Sequence, residues 1–239
     1  MIRVIPTGPF QVNTLIVSLS GSDVFIVDPA ACSFSEDEDA ISSILAEERL
    51  NPVAFVLTHG HFDHVCGLSH LKKLYPEVPV LIHEADKAWI GKDGLELQKR
   101  SLSVCGVPVL LKSVEDMPEA DGFISDGKSL FDSEPVKSAC ESGKIPVQSA
   151  DELKKWEIVS TPGHSKGSVC LYNAGSNELI VGDTIFYDGT GRTDLPFGDG
   201  KEIRRSIKMI YERFPKDAKT YPGHEGSGFK LEYSRPLFY

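Results

Sequence analysis

Long apolar runs are missing from this chain. No stretch approaches the roughly 18 residues that cross a bilayer, and the amino terminus, MIRVIPTGPF, has no charged segment followed by an apolar core and a small-residue cleavage site. A membrane span and a leader are not expected, and the sequence reads as cytoplasmic. Cysteine is scarce too: Cys32, Cys66, Cys105, Cys140 and Cys170 are odd in number, scattered, and form no C-x-x-C pair. This excludes a disulfide framework and a thiolate zinc finger, leaving small buried residues. Only Cys66, two residues after His64, is placed to lie near a metal without holding it. Positive charge is outnumbered, with 25 Lys and Arg against 35 Asp and Glu and a formal charge of -10. Phosphate backbones need a concentrated cationic surface, so a small-molecule substrate is expected rather than nucleic acid. Long Pro/Gly/Ser linkers are also absent, and 239 residues without one suggest a single domain over 1–239.

Histidine is sparse as well, and that makes its placement informative. Of seven histidines, three fall in Thr58-His59-Gly60-His61-Phe62-Asp63-His64, directly after the apolar run Val53–Leu57. Protonated imidazoles this close would repel one another, whereas a divalent cation holds them neutral beside an ionised carboxylate.

Periodicity places this cluster at a strand end. Ile2 to Ile5, Asn13 to Leu19 and Val24 to Val27 read as a strand meander. A helix is expected from about Asp37 to Arg49, with Ser35 and Glu38 in capping-box positions. The strand Val53 to Leu57 is apolar on both faces and should be covered on both sides, with its ligands at the carboxyl end. Leu68, Leu71 and Leu74 mark a helix ending near Tyr75-Pro76, and Val78 to Ile82 a further strand. From about 84 to 155 prolines and glycines break every long period; some helix is plausible over Ala85 to Lys99, and the stretch reads as an insertion or lid. Strands resume at Trp156–Ser160, Ser168–Tyr172, Leu179–Val181 and Ala218–Tyr221, with a helix carrying Ile203, Ile207, Ile210 and Phe214. Two similar halves around an insertion suit an α/β (α+β) four-layer αββα sandwich, two packed sheets with helices outside.

Further donors should then close later strands. Three glycine-bearing turns supply them: Pro162-Gly163-His164, Gly182-Asp183 and Pro222-Gly223-His224. Five histidines thus join one constellation, while His70 reads as a helix-surface residue and His83 as a structural one. Seven donors (His59, His61, Asp63, His64, His164, Asp183 and His224) exceed one tetrahedral zinc and suit two divalent ions sharing a carboxylate. Imidazole and carboxylate tolerate zinc, iron or manganese, with zinc expected first.

The order THxHxDH, PGHS, GD, PGHE resembles that of the metallo-β-lactamase superfamily over nearly the whole chain outside the insertion. The resemblance implies that His59, His61 and His164 hold one metal, Asp63, His64 and His224 the second, and that Asp183 bridges them. Asn13 in GPFQVNTLIV, Asp28 in IVDP and the stretch GDTIFYDGTGRTDLPFGD resemble the glyoxalase II-like branch. β-Lactamases proper lack the bridging aspartate. The glutathione-binding lysine of glyoxalase II falls on Arg192, which can still pair with a substrate carboxylate. Its two tyrosine partners fall on Asp194 and Gly226, and this chain ends 15 residues after His224, where that family has a helical domain.

The expected activity is therefore hydrolysis of a thioester or related ester by a metal-bridging hydroxide, with Asp63 and Asp183 as catalytic carboxylates and Arg192 binding substrate. One alternative is a persulfide dioxygenase, which shares the GRTD stretch but uses one iron held by residues matching His59, His164 and Asp183. A lactonase or phosphodiesterase of the same fold is another, and a non-enzymatic scaffold a third. GRTD also has a purely loop-shaping reading, with Arg192 and Asp194 paired to each other.

Overall fold

The structure is a computed structural model and describes residues 1–236. The first half runs β1 (Ile2–Thr7), β2 (Val12–Ser18), β3 (Asp23–Val27), α1 (Ala40–Glu47), β4 (Asn51–Val56), α2 (Phe62–Val65), α3 (Leu68–Leu74) and β5 (Val80–His83). Then α4 (Gly94–Val104), β6 (Gly122–Ile124), α5 (Glu134–Glu141) and α6 (Val147–Leu153) lead to the second half. That half holds β7 (Trp156–Ser160), β8 (Val169–Asn173), β9 (Glu178–Gly182), α7 (Gly200–Arg213), β10 (Lys219–Pro222) and β11 (Phe229–Lys230).

Two sheets result, ordered β1-β2-β3-β4-β5-β6 and β11-β10-β9-β8-β7. In β3 and β4 successive side chains go to opposite faces. Val24, Ile26 and Phe55 join an apolar cluster with Ile41 and Leu45 of α1 and Leu68 and Leu71 of α3. Phe25, Val27, Ala54 and Val56 instead meet Trp156, Ile158, Leu171 and Ile180 of the second sheet. Phe25 and Trp156 touch edge to face across that interface, ring centres 5.4 Å apart. The second sheet is covered by α7, whose Ile203, Ile207 and Ile210 pack on Val159, Cys170, Leu179 and Val181. Burying each such side chain contributes about 1.5–3 kcal/mol. The four-layer αββα sandwich expected from the pattern is what forms.

Three local expectations differ. The first helix begins at Ala40, and Ser35 and Glu38 form no capping box. Instead Ser35 Oγ donates to Asp37 Oδ1 (2.6 Å), while the Asp37 carboxylate accepts from the amides of Gly8 (2.7 Å) and Cys32 (2.9 Å). A tertiary demand on Asp37 thus outcompetes local capping. The helix sought over 85–99 is split into a 3-10 turn at Glu84–Trp89 and α4, because Gly91 turns the chain at φ 72. Within 84–155, β6 pairs in parallel with β5 and so extends the first sheet.

Sheet direction brings the donors together. β3, β4, β5 and β6 run parallel; β7 and β9 are both antiparallel to β8, and β10 is parallel to β9. The carboxyl ends of β3, β4, β7, β9 and β10 therefore lead to Asp28, His59, His164, Asp183 and His224.

Candidate metal centre

All seven donors expected from the sequence converge at these strand ends. In the first group His61 Nδ1 lies 2.8 Å from His164 Nε2, which lies 3.1 Å from His59 Nε2. In the second, His64 Nε2 is 3.3 Å from His224 Nε2, and Asp63 Oδ2 is 3.4 Å from His224 Nε2 and 3.9 Å from His64 Nε2. Each trio has its ligand atoms within 4.8 Å of one another, as a metal site requires. Asp183 stands between them: Oδ1 is 3.3 Å from His64 Nε2, and Oδ2 is 3.5 Å from both His164 Nε2 and His224 Nε2. The short helix α2 presents Asp63 and His64 on consecutive residues, and His61 sits at its N-cap. Gly223 lets β10 come this close, since a Cβ there would stand 2.1 Å from Asp183 Oδ1 and 2.7 Å from His64 Cε1.

Hydrogen bonds behind the rings set which nitrogen faces inward. His164 Nδ1 donates to Arg192 O (2.8 Å) and His224 Nδ1 to Phe10 O (3.2 Å). His64 Nδ1 meets Asp28 Oδ2 at 2.9 Å. Thr58 Oγ1 donates to Asp28 Oδ2 (2.6 Å), so its oxygen accepts from His59 Nδ1 (3.0 Å). In all four rings the tautomer inferred from these partners leaves an Nε2 lone pair inside. Asp28 also takes the Thr58 amide at 2.7 Å, with its own backbone at φ 49. A non-glycine residue held left-handed is over-determined by these contacts.

Sequence reasoning missed a further set of partners. Asp86, fully buried, accepts from the amides of Gly60 (3.1 Å) and Gly167 (2.7 Å) and from Ser165 Oγ (2.6 Å). It thereby ties the His59–His61 turn to the loop carrying His164. Gln98 Nε2 donates to Gly60 O (2.7 Å) and Trp89 O (2.8 Å), holding the same glycine from α4. Asn13 Nδ2 binds Pro222 O and Glu225 O, both at 3.0 Å, and so shapes the His224 loop. Asn13 and Asp28 were visible only as motif letters; Asp86 and Gln98 carried no local signal.

The charge balance calls for cations. Burial, followed by the adjoining imidazoles, holds His59 and His61 well below the ordinary histidine value, and burial lowers His164 as well. The Nε2 lone pairs of His59 and His164 thus face each other 3.1 Å apart, with His61 Nδ1 beside the second. For His64 burial acts downwards, but Asp183, Asp28 and Asp63 outweigh it and hold the ring well above its usual value. His224 is lifted against burial by Asp183 and Asp63 to about 10. Burial would raise Asp183, yet His64 and His224 hold it well below the carboxylate range. Protons here take the place of positive charge that the donors demand. His61 Nε2 and Asp183 Oδ1 are buried with no hydrogen-bond partner. A pair of divalent metal ions fits this donor set.

Residues 7–138 and 144–224 match the family model of the metallo-β-lactamase superfamily. The chain belongs to the metallo-β-lactamase superfamily. It is similar to the "Probable metallo-hydrolase MJ0888" of Methanocaldococcus jannaschii, 44% identical over 182 residues that cover 74% of this chain and 71% of that protein. The "Probable metallo-hydrolase YqgX" of Bacillus subtilis is 28% identical over 222 residues, 93% of this chain and 89% of its own. Among solved structures, the BLEG-1 B3 metallo-β-lactamase superposes with a TM-score of 0.76 at 27% identity, covering 98% of this chain and 95% of that one.

In this superfamily member the donors floor a cavity of about 290 Å³ walled by Phe10, Phe62, Phe186, Leu195, Cys105 and Arg192. Arg192 makes a bidentate pair with Asp194, Nε to Oδ1 at 2.6 Å and Nη2 to Oδ2 at 2.8 Å, so the loop-shaping contact is present. Its Nη1 points to Cys105 Sγ at 3.4 Å. Three residues bond elsewhere than to the donor side chains. His70 pairs with Asp39 at 2.9 Å, His83 Nδ1 accepts the Ala85 amide at 3.2 Å, and Cys66 Sγ turns to Ala30 O at 2.9 Å. Among the described residues no helix is long and apolar enough to cross a membrane.

Proposed function

We propose that this protein is a binuclear metallohydrolase of glyoxalase II-like type, cleaving a thioester or related ester of a small, carboxylate-bearing molecule. The observation that supports it is the pair of complete donor trios meeting at Asp183 beneath the aromatic cavity. His59, His61 and His164 would hold one ion, Asp63, His64 and His224 the other, with Asp183 shared. Zinc is the first choice, and iron or manganese suit the same donors. When bound, two such ions supply a Lewis acid and a water whose pKa falls from 15.7 to about 7.

The chain's own residues do the rest. Asp63 and Asp183 place carboxylate oxygens beside the reacting position, where they orient the attacking water and accept its hydrogen bond. Phe10, Phe62 and Phe186 exclude bulk water, which strengthens every charge interaction inside. Arg192 keeps two donors on Asp194, but Nη1 has only a thiol as partner, and a substrate carboxylate is the stronger acceptor. A thiolate leaves without a strong acid, so no buried proton donor is needed opposite Asp63.

The test is a panel of acyl thioesters, lactones and β-lactams assayed on protein reconstituted with zinc, iron or manganese. Thioester cleavage that disappears on chelation and in Asp183→Ala is expected. Full activity in Asp183→Ala, or oxygen uptake with persulfide at one iron per chain, would overturn the proposal.

A further inference from the structure

Four of the five donor histidines have a hydrogen bond behind the ring, and His61 has none. Its Nδ1 faces His164 Nε2 at 2.8 Å, while its other nitrogen, Nε2, is buried with no hydrogen-bond partner. Rings surround it instead. His59 and His164, donors themselves, stand edge to face with it at 4.7 and 4.4 Å between ring centres. Trp89 takes a third side, 4.6 Å away and nearly perpendicular at 87°. Of these three rings Trp89 alone is not a donor.

The fold holds this indole in place from several directions. Trp89 is fully buried, and its own Nε1 has no hydrogen-bond partner. A buried indole ordinarily finds an acceptor for its N–H, so here the ring serves for contact. It ends the 3-10 turn Glu84–Trp89, and Gln98 Nε2 bridges Trp89 O to Gly60 O, the residue before His61. A Cβ on Gly60 would lie 2.3 Å from Trp89 Cβ, so glycine is what admits the indole beside the turn. On its outer side Phe197, held at φ 67, meets it edge to face at 6.3 Å. Lys166 Nζ in turn lies 4.6 Å from the centre of the Phe197 ring. Lys166 is two residues past His164, so the stack starts on one donor and ends beside another.

We propose that Trp89 is the positioning residue for His61, holding its ring by edge-to-face contact where hydrogen bonds hold the other donor rings. Such pairs are favoured at about 4.5–7 Å between centres, because a ring edge is positive and a ring face negative. Without a hydrogen bond behind it, an imidazole is free to turn about its side-chain bonds. The indole removes that freedom, since a tilting His61 would run into a buried ring backed by Gly60 and Phe197. A donor fixed beforehand loses less freedom when an ion binds. The inference rests on the metal centre proposed above, to which it adds a residue of the 84–155 segment.

Trp89 and Trp156 are the two tryptophans of the chain. Trp156 opens β7 against Phe25 between the sheets, and His164 follows the other end of that strand. In Trp156→Phe, tryptophan emission therefore reports Trp89 alone. The experiment titrates cobalt(II), a paramagnetic ion of the same affinity series as iron and zinc, into the chelator-stripped full chain. Emission and bound cobalt, by elemental analysis, are read on the same samples. Trp156→Phe should lose most of its emission in step with bound cobalt, and Trp89→Phe a smaller fraction. Competition with a chromogenic chelator then compares variants at position 89. Trp89→Leu should bind cobalt about 10-fold more weakly than wild type, as for other partners behind ligands, and Trp89→Phe should restore most of the loss. Unchanged emission in Trp156→Phe with cobalt bound would overturn the proposal, as would wild-type affinity in Trp89→Leu or equal losses in both variants. If dichroism shows Trp89→Leu unfolded, the emission of Trp89 decides alone. A wild-type chain that binds no cobalt would instead remove the metal centre itself, and the role of Trp89 with it.

Discussion

Replacing Asp86 by alanine should weaken the metal centre without removing a single ligand. Its carboxylate is fully buried and is the partner of the Gly60 and Gly167 amides and of Ser165 Oγ. Each buried amide left without an acceptor costs about 1–3 kcal/mol, so two cost about 2–6 kcal/mol. Burial raises the Asp86 pKa, however, and removing the carboxylate recovers part of that desolvation cost. The net loss should fall near about 2–4 kcal/mol, out of a total stability of about 5–15 kcal/mol. Because the lost bonds join the His59–His61 turn to the His164 loop, metal affinity should fall about 10- to 100-fold, as for other partners behind ligands. Asp86→Asn keeps one acceptor oxygen and should lie between. Urea unfolding of the chelated protein measures the first effect, and competition with a chromogenic chelator the second. Wild-type values in both assays for Asp86→Ala would refute the reasoning.

Gly223→Ala puts a methyl 2.1 Å from Asp183 Oδ1 and should displace the shared carboxylate; elemental analysis should show lost metal with far-ultraviolet dichroism unchanged. Ile207→Ala, on the buried face of α7, should cost about 2–5 kcal/mol in urea unfolding while metal per chain stays at the wild-type value. The metal-free protein should depend on pH in a defined direction. His224 has its pKa raised from 6.5 to about 10, so its contribution is complete below 6.5 and is lost as pH rises through about 10. Unfolding midpoints of the chelated protein should therefore decline across that range, and midpoints that rise would contradict the assignment. His59, His61 and His164 act in the opposite sense, because their lowered values let the unfolded chain take protons first below 6.5.

Four of the candidate donors were legible because they follow apolar strands and sit beside glycine, so local pattern and chemistry coincide at His59, His164, Asp183 and His224. The burial of β4 on both faces was equally visible in its unbroken apolar run, and with it the covering layers on either side. Features whose partners lie far along the chain were not visible. Asp86 sits in a 3-10 turn and meets Gly167 across 81 positions. Ser35 gives its hydroxyl to Asp37 instead of capping, and Asp37 takes the Gly8 amide, a contact no local rule anticipates. The three-residue β6 and two-residue β11 are too short to show a period. Arg192 and its pairing with Asp194 could be placed by motif, but its contact with Cys105 depends on how α4 folds over the cavity.

The central claim is that two ions share Asp183. It is tested most directly by measuring zinc, iron and manganese per chain, by elemental analysis, on protein purified without added metal. The account predicts close to two ions per chain in any mixture, and fewer than two in Asp183→Ala. A single iron per chain, unchanged in Asp63→Ala and His224→Ala, would contradict it.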